Sequence, residues 1–313
     1  MEPAPDTPSS AHMPEVVGRP PLATLPVLAV AIVAISTGPA LMAAAAAPAL
    51  AMAFWRTTLG SAVVVPVALL QAGQRRHLLA LPRKERRLAI AAGLLLAAHF
   101  GTWIPALELT SVAAAAALTS TQPVWAALLA RLRGQRLPVR AMVGIGVCLG
   151  GVLLLTGVDL SLSNDALVGD LLALAGGIFG AGYITLGGEV RRTVPTIAYT
   201  AICYPVAALT LLAVCLLSGQ QLAGYSASTW LMIGGVALGA QLLGHSLFNT
   251  ALATTSPTVV SLAMLLEVPG AALLAAVWLG QLPSTIALGS IALLLGGVAL
   301  VVTASHHTRR LAK

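Results

Sequence analysis

Apolar runs of about 20 residues recur from residue 25 to residue 304, separated by short polar breaks. Each is long enough, as helix, to cross a hydrocarbon core of about 30 Å. Ten can be marked, at 25–44, 48–71, 88–107, 112–132, 139–157, 169–188, 196–217, 228–252, 258–280 and 285–304. They leave no stretch for a water-soluble domain. In lipid a spanning segment must satisfy its own backbone polar groups, so the pattern predicts an all-α integral membrane protein with ten transmembrane helices. Composition agrees: 58% of residues are hydrophobic and 9% charged, where a soluble domain carries about a quarter charged. With only four Phe and four Tyr, the apolar bulk is Ala, Leu, Val and Gly, small side chains that let membrane helices pack closely.

Basic residues in short loops mark the cytoplasmic side. Arg75, Arg76, Arg83, Lys84, Arg86 and Arg87 lie in the second break, Arg131, Arg133, Arg136 and Arg140 in the fourth, Arg191 and Arg192 in the sixth, and Arg309, Arg310 and Lys313 at the end. The odd-numbered breaks hold no Lys or Arg and carry Glu108, Asp159 and Asp165. Both termini are therefore expected in the cytoplasm and the chain in the bacterial plasma membrane. The net charge of +7 and pI near 10.0 then orient the chain in its bilayer rather than attract nucleic acid, and the 75–87 loop also suits anionic lipid. Residues 1–24 read as a disordered Pro-rich cytoplasmic tail, too acidic at the start for a secretory signal, and 305–313 as a basic cytoplasmic tail. Cys148, Cys203 and Cys215 fall inside apolar runs and read as buried free thiols.

Sliding the chain by 146 residues sets the third to fifth segments on the eighth to tenth without a gap. His99 falls on His245, Pro123 on Pro269, Gly134-Gln135 on Gly280-Gln281, and Gly150-Gly151-Val152 on Gly296-Gly297-Val298. The first two segments match the sixth and seventh more loosely. Two repeats follow, at 25–157 and 169–304, joined by an extracellular linker at 158–168. Five crossings per repeat is an odd number, so the second copy is expected upside down, an arrangement that places a transporter's substrate site near the bilayer midplane between the copies.

An ionisable side chain at mid-helix costs about 2.5–3.5 kcal/mol on insertion scales, so the few present mark a site or a structural pair. Arg56, His99, His245 and Glu267 stand out. Arg56 either snorkels to the outer headgroups or faces an inner cavity. Glu267 lies too deep to snorkel, at a level where an ion pair with Arg56 is allowed; structural pairing and proton coupling both fit. His99 and Trp103 share a helix face, as do Gln241, His245 and Asn249. Thr121 and Gln122 precede Pro123 as Glu267 and Val268 precede Pro269, and each Pro frees a backbone carbonyl. Tyr183 and Thr185, and Ser36 and Thr37 beside Pro39, are further candidates.

The pairs Gly146/Gly150, Gly176/Gly180 and Gly235/Gly239 form GxxxG patterns that permit close helix approach. There is no Walker loop and no His-Glu-x-x-His motif, so no ATPase subunit, metal, cofactor or catalytic residue is expected. Gly244-His245-Ser246-Leu247, with His99 as base, sketches an intramembrane serine hydrolase, but Leu247 replaces the small residue such a motif needs and the repeat would go unexplained.

These residues together resemble the drug/metabolite transporter superfamily and, within it, the EamA family of ten-helix permeases built from two repeats. The resemblance rests on Ala53-Phe54-Trp55-Arg56, Ala106-Leu107 with Thr110-Ser111, and Gln122-Pro123-Val124 in the first copy. In the second it rests on Gly244-His245-Ser246-Leu247-Phe248-Asn249 and Leu266-Glu267-Val268-Pro269. Members usually carry Gly-Glu where this chain has Gly134-Gln135 and Gly280-Gln281. The resemblance implies export of amino acids, other metabolites or drugs by alternating access. The expected lining is His99, Trp103, Gln122, Tyr183, Gln241, His245 and Asn249, with Glu267 and Arg56 as coupling site or ion pair. A hydrophobic drug exporter is the alternative within transport. Expected partners are a small-molecule substrate and the lipid bilayer, with a homodimer left open.

Overall fold

A computed structural model describes residues 24–134, 136–244, 247–248, 251 and 263–311, with side chains omitted at 158–162 and 305–311. Its helices are α1 (Thr24–Ala44), α2 (Ala49–Leu70), α3 (Ala72–Leu79), α4 (Arg83–Leu109), α5 (Val112–Thr119), α6 (Gln122–Leu132), α7 (Val139–Leu162), α8 (Asn164–Val190), α9 (Thr196–Leu217), α10 (Ala227–Gly235), α11 (Glu267–Leu279) and α12 (Thr285–Leu311). A π-type helix, Val236–Gly244, continues α10. Among the described residues there is no strand, and nine helical spans are long and apolar enough to cross a membrane. Large apolar side chains such as Val33, Leu153, Leu209, Leu231 and Leu273 stand exposed along them. In water these would be costly; in lipid they face their own kind. The chain is a multi-pass membrane protein.

All of the ten expected runs but the ninth are among these spans, and the fourth and ninth each carry an interruption. The fourth run is helical but broken: α5 ends at Thr119 and α6 starts at Gln122, across a turn at Ser120 and Thr121. Pro123 cannot donate into the preceding turn, and the Thr121 hydroxyl donates to the Leu118 carbonyl at 2.6 Å instead. The ninth run shows the same interruption in the described part, a turn at Leu265 and Leu266 before α11, and α11 is shorter than a full span. Residues 252–262 lie outside the described residues.

Packing exchanges under exchange of the two halves. α4 packs on α8 while the π helix packs on α1; α6 packs on α8 while α11 packs on α1; α4 packs on α9 while the π helix packs on α2. α2 with α9 and α7 with α12 are pairs of equivalents. In the last, a Cβ on Gly151 would lie 2.6 Å from the Leu294 backbone nitrogen, and one on Gly297 would overlap the Cys148 backbone. Gly151 and Gly297, like Cys148 and Leu294, are 146 residues apart, so the contact is reciprocal. Gly144 faces Gly297, Leu300 and Val301; numbers rise along α7 as they fall along α12, and the equivalent helices run antiparallel. The expected Gly146/Gly150 pattern makes no such approach: a Cβ on Gly146 meets nothing within 4 Å.

The breaks sort to two ends. Glu108 accepts from the Ala49 amide at 3.0 Å, Thr110 donates to Asp170 at 3.0 Å, the Trp55 indole donates to the Leu222 carbonyl at 2.8 Å, and Gln281 accepts from the Val112 amide at 3.1 Å. These bonds tie the odd-numbered breaks together at one end. At the other, Lys84 Nζ meets Glu189 Oε1 at 3.0 Å, joining the second and sixth. Ser111, Ser163 and Ser226 cap helices starting from the odd end by accepting from the amide three residues on.

Candidate functional site

Arg56 and Gly60 are one turn apart on α2 and share a face. Arg56 is 3% exposed, so it points inward and does not snorkel. Its Nε donates to Gln241 Oε1 at 3.0 Å, its Nη1 to Met42 Sδ at 3.7 Å, and its guanidinium carbon lies 4.2 Å from the Phe100 ring centroid, a cation–π contact. Gly60 leaves the space that the Gln241 amide fills: a Cβ there would overlap the amide nitrogen and lie 3.6 Å from Tyr204. Gln241 sits on the π helix, a distortion frequent at functional sites, and its Nε2 is buried with no hydrogen-bond partner. α2 and the π helix come from opposite halves of the chain, so the Arg56–Gln241 bond crosses between them.

Glu267 begins α11 rather than standing inside a longer helix; the positive end of a helix dipole favours its carboxylate there. Gly270, one turn on, is close to α1: a Cβ would overlap Ser36 Oγ, which is buried without a partner. The charges of Arg56 and Glu267 act on each other, but they form no salt bridge; the one among the described residues is Lys84–Glu189.

The remaining predicted residues gather around α8. The ring of His99 bonds through Nδ1 to the Gly176 carbonyl at 2.8 Å, and since a carbonyl only accepts, Nδ1 carries the proton. His99 also stacks near Phe100 at 5.1 Å and Trp103 at 6.2 Å. Gly176 and Gly180 act as the GxxxG pattern suggests: a Cβ would lie 2.6 Å from Trp103 Cβ at the first and 2.7 Å from the Gln122 amide carbon at the second. Trp103 Nε1 is buried and unpartnered. Tyr183 lies one turn beyond Gly180, half-buried against the core. Phe100 on α4 thus joins two groups, Arg56 with Gln241 on one side and His99 with Trp103 on the other. His245, Asn249 and Ser246 lie outside the described residues.

Sequence reasoning missed Phe100, Met42 and Gly60, which touch Arg56 or Gln241, and Tyr204, which faces Gly60. It also missed Asp170, a buried carboxylate bonded to Thr110, which stands just inside the start of the sixth run. A separate cleft of about 370 Å³ opens at the basic end between Arg76, His77, Leu81, Pro82, Glu85 and Thr193 and holds none of the residues above. Among the described residues no three His, Cys, Asp or Glu side chains converge to hold a metal.

The sequence model of the EamA-like transporter family matches residues 22–157 and again 167–303. The chain belongs to the EamA-like transporter family. Two EamA repeats, within the drug/metabolite transporter superfamily, account for the two halves whose packing exchanges. Arg56 lies in the first EamA match and Gln241 in the second, so the buried bond links the repeats. A crystal structure described only as that of a protein aligns with a TM-score of 0.62 over 90% of this chain and 98% of its own, at 24% identity, a likeness of fold. No match is found among curated protein sequences.

Proposed function

We propose that this EamA protein is a secondary-active exporter that moves a small metabolite such as an amino acid by alternating access between inverted repeats, in the bacterial plasma membrane with both termini cytoplasmic. The observation that carries the reading is the Arg56–Gln241 bond, a buried charged contact made across the repeats. Burying a charge is expensive unless its neighbours compensate, and a packed apolar pair would join two halves as well. A charge kept there serves a polar solute better than it serves stability. Arg56, Gln241, His99, Trp103, Gln122, Tyr183, His245 and Asn249 line the path in this reading, and Glu267 carries the proton if export is proton-coupled. Rocking of one repeat against the other would part and remake the contacts between them.

Uptake into inside-out membrane vesicles against a panel of amino acids, other metabolites and lipophilic cations, with and without an imposed pH gradient, tests it. Accumulation of a small polar metabolite is expected, and Glu267→Gln should remove any dependence on the pH gradient while leaving solute counterflow intact. Uptake confined to lipophilic cations would replace the metabolite by a drug as substrate. Absence of uptake across the panel would refute the reading.

A further inference from the structure

Arg56 is buried deep among helices of both repeats with donors to spare. A guanidinium has five N–H groups in a planar fork. Here Nε reaches Gln241 and Nη1 reaches a thioether, a weak acceptor, while among the described residues Nη2 donates to none. Gln241 adds a second spare donor: its oxygen is taken by Arg56, which fixes the amide orientation, and its Nε2 is buried and unpartnered. What this place lacks is an acceptor. No carboxylate makes a salt bridge with Arg56, though Glu267 stands near enough for the two charges to interact.

We infer that Arg56 and Gln241 form the receptor for a carboxylate group of the transported solute, with Glu267 as the rival anion that the solute's charge must outcompete. A carboxylate has two coplanar oxygens that match the guanidinium fork, and the Gln241 amide can donate to the same group. A monoanion also fits the charge count. Arg56 is the lone Arg or Lys among the described buried residues, so a phosphate dianion would go half-neutralised beside Glu267. Gly60 belongs to the receptor because only a residue without Cβ admits the Gln241 amide.

This inference rests on the transport reading for its meaning but is tested by equilibrium binding alone. Full-length protein purified in detergent is titrated with sodium butyrate or with butyramide, at ionic strength held constant with sodium chloride, and unfolding is followed by tryptophan fluorescence. Butyrate should raise the unfolding temperature saturably and butyramide should not. Arg56→Gln should abolish the butyrate shift, Gln241→Leu and Gly60→Ala should each weaken apparent affinity at least threefold, and Glu267→Gln should strengthen it at least threefold. If Arg56→Gln does not fold, the last three variants decide. No saturable shift with butyrate, an equal shift with butyramide, or variants that bind butyrate as the parent does would overturn the inference. Butyrate binding without uptake of any solute by vesicles would leave it standing and sink the transport reading; uptake restricted to solutes without a carboxylate would do the reverse.

Discussion

His99 shows how one side chain can join two helices through a single atom. Its Nδ1–H donates to the carbonyl of Gly176 on α8, and Gly176 in turn has no side chain to hold Trp103 away. Asn can offer a donor near the place of Nδ1, and Leu cannot. His99→Leu should therefore lower stability by about 1–3 kcal/mol, the cost of leaving a buried acceptor unmade, while His99→Asn recovers at least half of that; thermal unfolding in detergent measures both. At this scale the sequence was legible where charge contrasts with its surroundings. Arg56, His99 and Glu267 are visible because an ionisable residue in an apolar run is rare. Phe100 and Met42 were invisible because an apolar residue in such a run carries no contrast, and Gly60 was one of 30 glycines. Asp170 escaped because, close to the end of a run, a carboxylate reads as loop.

Helix pairing depends on where the backbone can come close, and the glycines divide by that test. Gly297 sits on the Cys148 backbone of α7, and Gly146 faces open space. Gly297→Leu should destabilise the α7–α12 contact by at least about 2 kcal/mol, since backbone rather than a flexible side chain stands in the way. Gly146→Leu should stay within about 0.5 kcal/mol; denaturant titration of the two variants provides the comparison. The motif pattern alone could not separate them, because GxxxG spacing states that a helix has a small face and not which neighbour it meets. Prolines teach the same lesson. Pro39, Pro66, Pro105 and Pro205 lie inside continuous helices, whereas turns precede Pro123 and Pro269. What accompanies those two is a turn that has side-chain and backbone bonds of its own, as Thr121 shows with Leu118 and Trp125. Hydropathy runs unbroken through both places, so the interruption left no mark in the pattern of apolar residues.

Across the whole molecule, the 146-residue offset announced the repeat, and the reciprocal contacts of Gly151 and Gly297 are its physical counterpart. The partners of each helix were not legible, because every face in an apolar chain is apolar. Exposed charge adds little to holding the ends together: Lys84 and Glu189 are 72% and 41% exposed, and Lys84→Ala should leave the thermal unfolding midpoint close to that of the parent. The account as a whole depends on the odd-numbered and even-numbered breaks meeting opposite sides of the bilayer around one buried polar site. Single cysteines at Gln220 and at Arg191, in a background with Cys148, Cys203 and Cys215 replaced, test this with an impermeant maleimide. The account predicts labelling of position 220 in intact cells and of position 191 only in inside-out vesicles. Labelling of both positions from one side of the membrane would contradict it.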